Sequence, residues 1–364
     1  MINVSNIEEL YSAVNDTAND GETIVLAPGT YALSANAPGG SPRPNGGRLE
    51  LRLDMSLIGK VGDRDAVKID SSQLPVASLR VPFSPPVPSP NRTGPIRIGR
   101  GKNAVEWLTV IGNPAAAGGI DTDLGDATPA EIRVAHVVSG GSLRGLDVRN
   151  AGSAMAGRKI EAEIEDNDFS SAGAIAGDIR QAIRFMNFIG ATGGEVHAKM
   201  SGNRFHGSLF GCLLENNRTN SGVINVRSNG DTFEDNSMSG CWIGGAFASS
   251  NGTFSGASAT FEAHGGKFQN NSEYGILADA AEVRSVTNVA FDNKVFVNLF
   301  GCTASNNSLG DFKAYGARSI PPVGIAGTNN KVTIERHGVS TQIAVDATDS
   351  EPPEPAHTNR VTVI

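Results

Sequence analysis

A phenylalanine recurs along the middle of the chain, at Phe169, Phe205, Phe233, Phe268 and Phe291. Each ends a strand-like stretch: IEAEIEDNDF, EVHAKMSGNRF, VINVRSNGDTF, ATFEAHGGKF and VRSVTNVAF. Six to ten residues later comes a glycine, at Gly177, Gly211, Gly240, Gly275 and Gly301. Four of these open the segments GCLLENN, GCWIGGA, GILADAA and GCTASNN. The Phe residues are 36, 28, 35 and 23 positions apart. A fixed internal pattern at uneven spacing means constant short strands joined by loops of variable length. Each repeat is then one coil of a solenoid, too small to bury its own apolar face and stabilised by stacking on its neighbours.

Period-two alternation assigns the faces. Before the Phe, Ile160, Ala162 and Ile164, then Val196, Ala198 and Met200, are predicted to point inward. Glu161, Glu163 and Glu165, then His197, Lys199 and Ser201, point outward. After the Gly, Cys212, Cys241, Ile276 and Cys302 form one predicted interior column, and Leu214, Ile243, Ala278 and Ala304 another. The five Phe side chains form an interior ladder. The three cysteines then read as buried, reduced, small apolar groups. Their odd number, with no CxxC or Cys/His cluster, argues against a zinc site.

The pattern N-x-F-x-x-N…G-I-x-L, seen in FEDNSMSGCWI (233–243) and FQNNSEYGIL (268–277), resembles the repeats of the pectin-lyase-like superfamily. The opening agrees. SNIEELYSAVN (5–15) reads as a short amphipathic helix, with Ser5 as N-cap and Glu8 completing a capping box. GETIVLAPGTYAL (21–33) looks like the first strand pair, and SLIGKVGDRDAVKID (56–70) and RIGRGKNAVEWLTVIG (97–112) like further early coils. The resemblance implies an all-β fold: a single right-handed parallel β-helix over residues 1–364, with a short N-terminal capping helix. The cap is placed at 1–20, and the coils at 21–345 with loop insertions near 36–47, 82–95 and 113–129. A C-terminal crossing and last strand occupy 346–364. That superfamily holds lyases, hydrolases, epimerases, tailspikes and adhesins, so it specifies fold more than chemistry.

Charge and composition narrow the partners. The net charge of −8 argues against nucleic acid, which needs a basic stripe, but not against an acidic sugar polymer meeting a local basic patch. No apolar run is long enough to span a membrane. MINVSNIEEL lacks the basic and apolar regions of a signal peptide, which fits a cytoplasmic chain, or a secreted one in mature form. Self-association into a homo-oligomer is left open. No phosphate-binding loop, dinucleotide fingerprint or G-x-S-x-G elbow is present.

Three constellations could carry chemistry. On the outward side of the post-Gly strands, Leu213, Trp242, Leu277 and Thr303 form one column, and Gln181, Glu215, Gly244, Asp279 and Ser305 the next. Glu215 and Asp279 then lie two rungs apart, about 9.6 Å between backbones. Carboxylates roughly 6.5–9.5 Å apart suit inverting glycoside hydrolysis. Trp242 would stack on a sugar ring and Gly244 would leave it room, with Gln181 as a further substrate contact. Exposed acids and a covered apolar stripe explain the same residues without chemistry. The close Asp pairs, Gly-His and Arg-x-Lys signatures of polygalacturonase-like enzymes are also missing. The alternative is the pre-Phe column Glu163, Lys199, Arg227 and Glu262, flanked by His197 and His264. There Lys199 or Arg227 could serve as the base of a uronate lyase, or the column could be a solvated salt ladder. The third is IDTDLGD (120–126), whose Asp121, Asp123 and Asp126 resemble half of a Ca²⁺ loop but equally an Asp-rich turn. No other metal or cofactor is indicated. The expected function is a carbohydrate-active enzyme of glycoside hydrolase, lyase or transferase type, a glycosidase or polysaccharide lyase first, working on an oligo- or polysaccharide in a lateral groove. The alternative is a non-catalytic binding, adhesive or scaffold β-helix, favoured by an aromatic content of only 6%.

Overall fold

A computed structural model describes residues 1–81, 91–122, 128–172, 179–248, 252–284, 288–319, 328–351 and 358–364. Short strands pair in parallel with equivalent strands one coil on, which is the architecture of a right-handed parallel β-helix. The chain divides into two compact units, Met1–Val148 with Lys159–Ile183, and Arg149–Arg158 with Arg184–Ile364. Each coil contributes a strand to a first, a second and a third face.

In the first unit, the first-face strands are Ile2–Val4, Thr23–Leu26, Ser56–Ile58, Gly101–Glu106, Ala130–Ala135 and Lys159–Glu165. Their inward residues Ile132, Val134, Ile160, Ala162 and Ile164 are buried as the alternation requires. The helix Ile7–Asn15 buries Leu10, Tyr11, Ala13 and Val14 at the N-terminal end of this unit. Its N-cap is Asn6, whose side chain accepts from the Glu9 backbone N–H at 3.0 Å, and the Ser5 N–H donates to Glu9 at 2.7 Å. The reciprocal cap predicted at Ser5 and Glu8 is thus real in kind but displaced by one residue, because Asn6 has the extended backbone that a cap needs.

In the second unit, the first-face strands are Glu195–Ser201, Val223–Asn229, Ser258–His264, Lys294–Phe300, Lys331–His337 and Arg360–Val363. The second face holds Arg204–His206, Thr232–Glu234, Lys267–Gln269 and Thr303–Ser305. Phe205, Phe233 and Phe268 stand in register and their rings stack at 5.1 and 4.9 Å. Phe169 is likewise buried, in the first unit.

Phe291 does not belong to this ladder. It lies half-buried in Asn288–Phe291, paired with Gly252–Ser255, and the position beside Phe268 is taken by Ala304. The physical reason is the corner at Gly301, ten residues after Phe291. Gly301 has φ 64° and turns the corner between the first and second faces, where the preceding coils use Gly230 and Gly265. The segment GCTASNN therefore starts a second-face strand, so Thr303 and Ser305 leave the third-face columns. Phe312, not Cys302, follows Cys212, Cys241 and Ile276 in the third-face interior, and Ala314 follows Ala278. All three cysteines are nonetheless buried and free, and burial pushes the Cys212 and Cys302 thiols up.

The turns between second and third faces carry asparagines, buried at Asn236 and Asn271 and half-buried at Asn307. Asn236, Asn271 and Asn307 link side chain to side chain at 3.0 and 2.9 Å, and each also donates to a backbone carbonyl of the preceding coil. Two predicted boundaries change. Ile120–Thr122, inside the loop assigned to 113–129, is a third-face strand in register with Ile96–Ile98. Val345–Glu351 pairs with Gly310–Ser319, so the C-terminal crossing includes another third-face strand.

Candidate functional site

The site is built on the third face of the second unit, on Phe210–Asn217, Cys241–Ala248, Tyr274–Val283 and Gly310–Ser319. Alternation sends Cys212, Leu214, Cys241, Ile243, Ile276 and Ala278 into the coil, leaving two outward columns. One reads Leu213, Trp242, Leu277 and Lys313, the other Glu215, Gly244, Asp279 and Tyr315. Further along, Ala246, Ala248, Ala281, Val283 and Ala317 pack with Phe254 and Ala290 into a small second core. The outward columns are themselves largely buried: Asp279 is 0% exposed and Trp242 3%.

Asp279 is the centre of the cluster. One of its oxygens accepts from the Trp242 indole N–H at 2.8 Å and from Arg318 Nη2 at 2.9 Å. The same Nη2 also binds Glu282, whose other oxygen takes Arg284 Nε at 2.6 Å. The second oxygen of Asp279 is buried with no hydrogen-bond partner. Burial raises the Asp279 pKa to about 7; the Arg318 charge pulls it down and the Glu282 charge pushes it up. Burial works against the Arg318 charge, but Asp279 and Glu282 outweigh it and hold the guanidinium protonated. Two carboxyls, Asp279 and Glu282, thus share one guanidinium in a dry setting. The Arg318 guanidinium lies 4.9 Å from the centre of the half-buried Tyr315 ring.

The predicted residues fall as follows. Glu215 and Asp279 do occupy one column with Gly244 between them. They are separately engaged, for the Glu215 carboxylate takes the Asn217 side-chain N–H at 2.6 Å. A methyl group added at Gly244 would meet only the Leu214 carbonyl at 3.4 Å, so this position is open between them. Trp242 is not a surface platform. Phe210 and Phe247 flank it, at ring distances of 5.1 and 6.1 Å, and its N–H is spent on Asp279. Gln181, a residue of the first unit, opens the strand Gln181–Phe188, whereas Glu215 is the sixth residue of its own, so the two are not equivalent. The Gln181 amide is fully buried without a hydrogen-bond partner, which leaves it no surface to offer a substrate. Counting four residues on from Gly177 therefore reaches the start of the strand and not the position that Glu215 holds; Gly177 itself lies outside the described residues.

Lys199 and Arg227 stand side by side on the exposed first face, followed in register by Glu262, which pairs with Arg227 at 3.1 Å and with His264 at 2.6 Å. Asp123 and Asp126 lie outside the described residues. Asp121 is buried, with Arg97 Nε at 3.6 Å and the Thr93 hydroxyl at 3.4 Å, a setting for a paired carboxylate rather than a cation ligand.

Glu282, Arg318 and Tyr315 were missed by the sequence reading. Arg318 and Tyr315 belong to the coil whose register was lost at Gly301. Glu282 lies beyond the bend where the simple alternation stops. In the first unit, a buried network was missed as well: Glu50 binds Arg48 at 2.7 Å and Arg97 at 3.1 Å, beside Asp121. Its signal was the charged alternate position of the strands Leu49–Glu50, Ile96–Ile98 and Ile120–Thr122, which stand in one register.

Among proteins of known structure, the chain is similar to the mannuronan C-5 epimerase AlgE4 A-module of Azotobacter vinelandii. The match has 13% identity and a TM-score of 0.40, and covers 99% of this chain and 100% of that one. It is also similar to the surface adhesin PfbA of Streptococcus pneumoniae, at 8% identity and a TM-score of 0.34, covering 98% and 94%. A third match is the PL6 family alginate lyase AlyGC, at 10% identity and a TM-score of 0.30, covering 96% and 80%. No family model matches the sequence, and no curated protein does. The strand pairing defines the class: this is a parallel β-helix protein.

Proposed function

We propose that the chain is a carbohydrate-active enzyme of glycosidase or lyase type, acting on an oligo- or polysaccharide along the third face. The observation that carries the reading is the buried Asp279 carboxyl, raised to about 7 and held by Trp242 and Arg318. A group with a pKa near the working pH is suited to give or take a proton in glycosidic bond cleavage. In this reading Asp279 handles the proton, Glu215 is the second carboxylate two rungs away, and Arg318 and Tyr315 meet the sugar. Trp242 fixes the Asp279 side chain rather than stacking on substrate. Turnover requires the covering of Asp279 to open.

The test is a panel of uronate and neutral glycans, read by reducing ends and by absorbance of unsaturated products. Asp279→Asn is expected to lower turnover by about 10²-fold or more, as for loss of a general acid or base. Full activity in both Asp279→Asn and Glu215→Gln would move the chemistry to the Lys199 and Arg227 face. A non-catalytic binding, adhesive or scaffold role is the second reading, favoured by the burial of Trp242, Glu215 and Asp279. It predicts no turnover on any member of the panel.

A further inference from the structure

A different surface of the second unit carries charge that nothing in the fold uses. Three consecutive first-face strands begin with a cation: Lys294–Phe300, Lys331–His337 and Arg360–Val363. Parallel register sets Lys294 beside Lys331 and Lys331 beside Arg360, all three exposed. Like charges directly opposite on neighbouring strands repel each other. In another column of this face Arg227, which stands beside Lys199, pairs with Glu262. Among the described residues, Lys294, Lys331 and Arg360 have no ion-pair partner. A column of three unpaired cations stands out on a chain whose net charge is −8.

The same column borders a cavity of about 560 Å³, lined by Lys294, Lys331, Phe296, Asp292 and Asn329 among others. Phe296 is 39% exposed, an aromatic ring turned to water one alternate position beyond Lys294. Asp292, the carboxylate at the rim, has one oxygen engaged by the Asn329 side-chain N–H at 2.7 Å. A ring face beside a row of cations fits a sugar whose apolar side stacks and whose anionic groups meet ammonium and guanidinium groups.

We propose that this column is a second binding site, separate from the Asp279 cluster, for an anionic sugar polymer lying across the strands. Its cations, one per coil at about 4.8 Å spacing, match a chain that carries charge at regular intervals. The sugar part of the proposal rests on the carbohydrate reading above, and the anionic part on the three cations alone.

Affinity electrophoresis of the full chain in gels containing polygalacturonate, dextran or a DNA duplex tests it. Polygalacturonate is expected to retard the protein in low salt and to lose most of this effect in high salt, as screened charge contacts should. Lys294→Gln with Lys331→Gln should weaken polygalacturonate binding about tenfold or more, a loss of about 1.4 kcal/mol, with an unchanged or raised Tm because repulsion is relieved. Phe296→Ala should weaken it while keeping the salt dependence. The proposal is overturned if polygalacturonate does not bind, if the double variant binds as well as wild type, or if dextran or DNA binds equally well. Binding is read without turnover, so failure here and failure of the Asp279 reading are separate results.

Discussion

Phe233 shows what one side chain contributes. It is fully buried, stacked between Phe205 and Phe268, with Phe261 edge-on at 6.1 Å. Phe233→Ala should cost about 3–5 kcal/mol in chemical denaturation, the range for a buried Phe; a loss below about 1 kcal/mol would contradict the ladder. Titrating residues make a second prediction. Asp231 and Asp279 rise on folding from 3.8 to about 6 and about 7, chiefly through burial. The folded chain therefore binds more protons than the unfolded one in this window. The stability each group contributes is complete below pH 3.8 and is lost as pH rises through about 6 for Asp231 and about 7 for Asp279. Urea midpoints of wild type and Asp279→Asn across that range should show a smaller decline in the variant. Identical pH dependence would mean that Asp279 is not perturbed.

Elements hold together through polar ladders as much as apolar ones. The Asn271 side-chain oxygen accepts from both the backbone and side-chain N–H of Asn236, while its own amide donates to the Phe233 carbonyl and to Asn307. Asn271→Ala leaves several buried groups without partners, and each such group costs on the order of 1–3 kcal/mol. Its urea midpoint should fall well below that of a surface control such as Ser272→Ala; equal midpoints would show that the ladder is not structural. The F-x-x-N part of the repeat marked these turns, since Asn236 and Asn271 are its final residues. What it left undetermined was which corner a glycine occupies. Gly240 and Gly275 precede third-face strands, and Gly301 precedes a second-face strand. Local sequence is alike at the two corners, so the misplaced coil carried Phe291, Cys302, Thr303 and Ser305 with it. Inner and outer faces were readable because period two depends only on neighbouring residues. The Asp279–Glu282–Arg318 contact was not, because it forms across a bend and between coils.

At the scale of the whole molecule, the β-helix brings residues far apart in sequence into columns, and different columns serve different purposes. The Phe, Cys and Asn columns stabilise the second unit. The Lys294–Lys331–Arg360 column is exposed and unpaired. The Asp279 column combines burial, charge and an open position at Gly244. The proposed function has Asp279 as a proton donor held near neutrality, and the pH profile of kcat/KM on the best substrate of the glycan panel tests it most directly. Under the proposed function protonated Asp279 is the active form, so kcat/KM should fall as pH rises through about 7. Asp279→Asn should be slow at every pH and lack that limb. The same limb persisting in Asp279→Asn at wild-type rates would contradict the account.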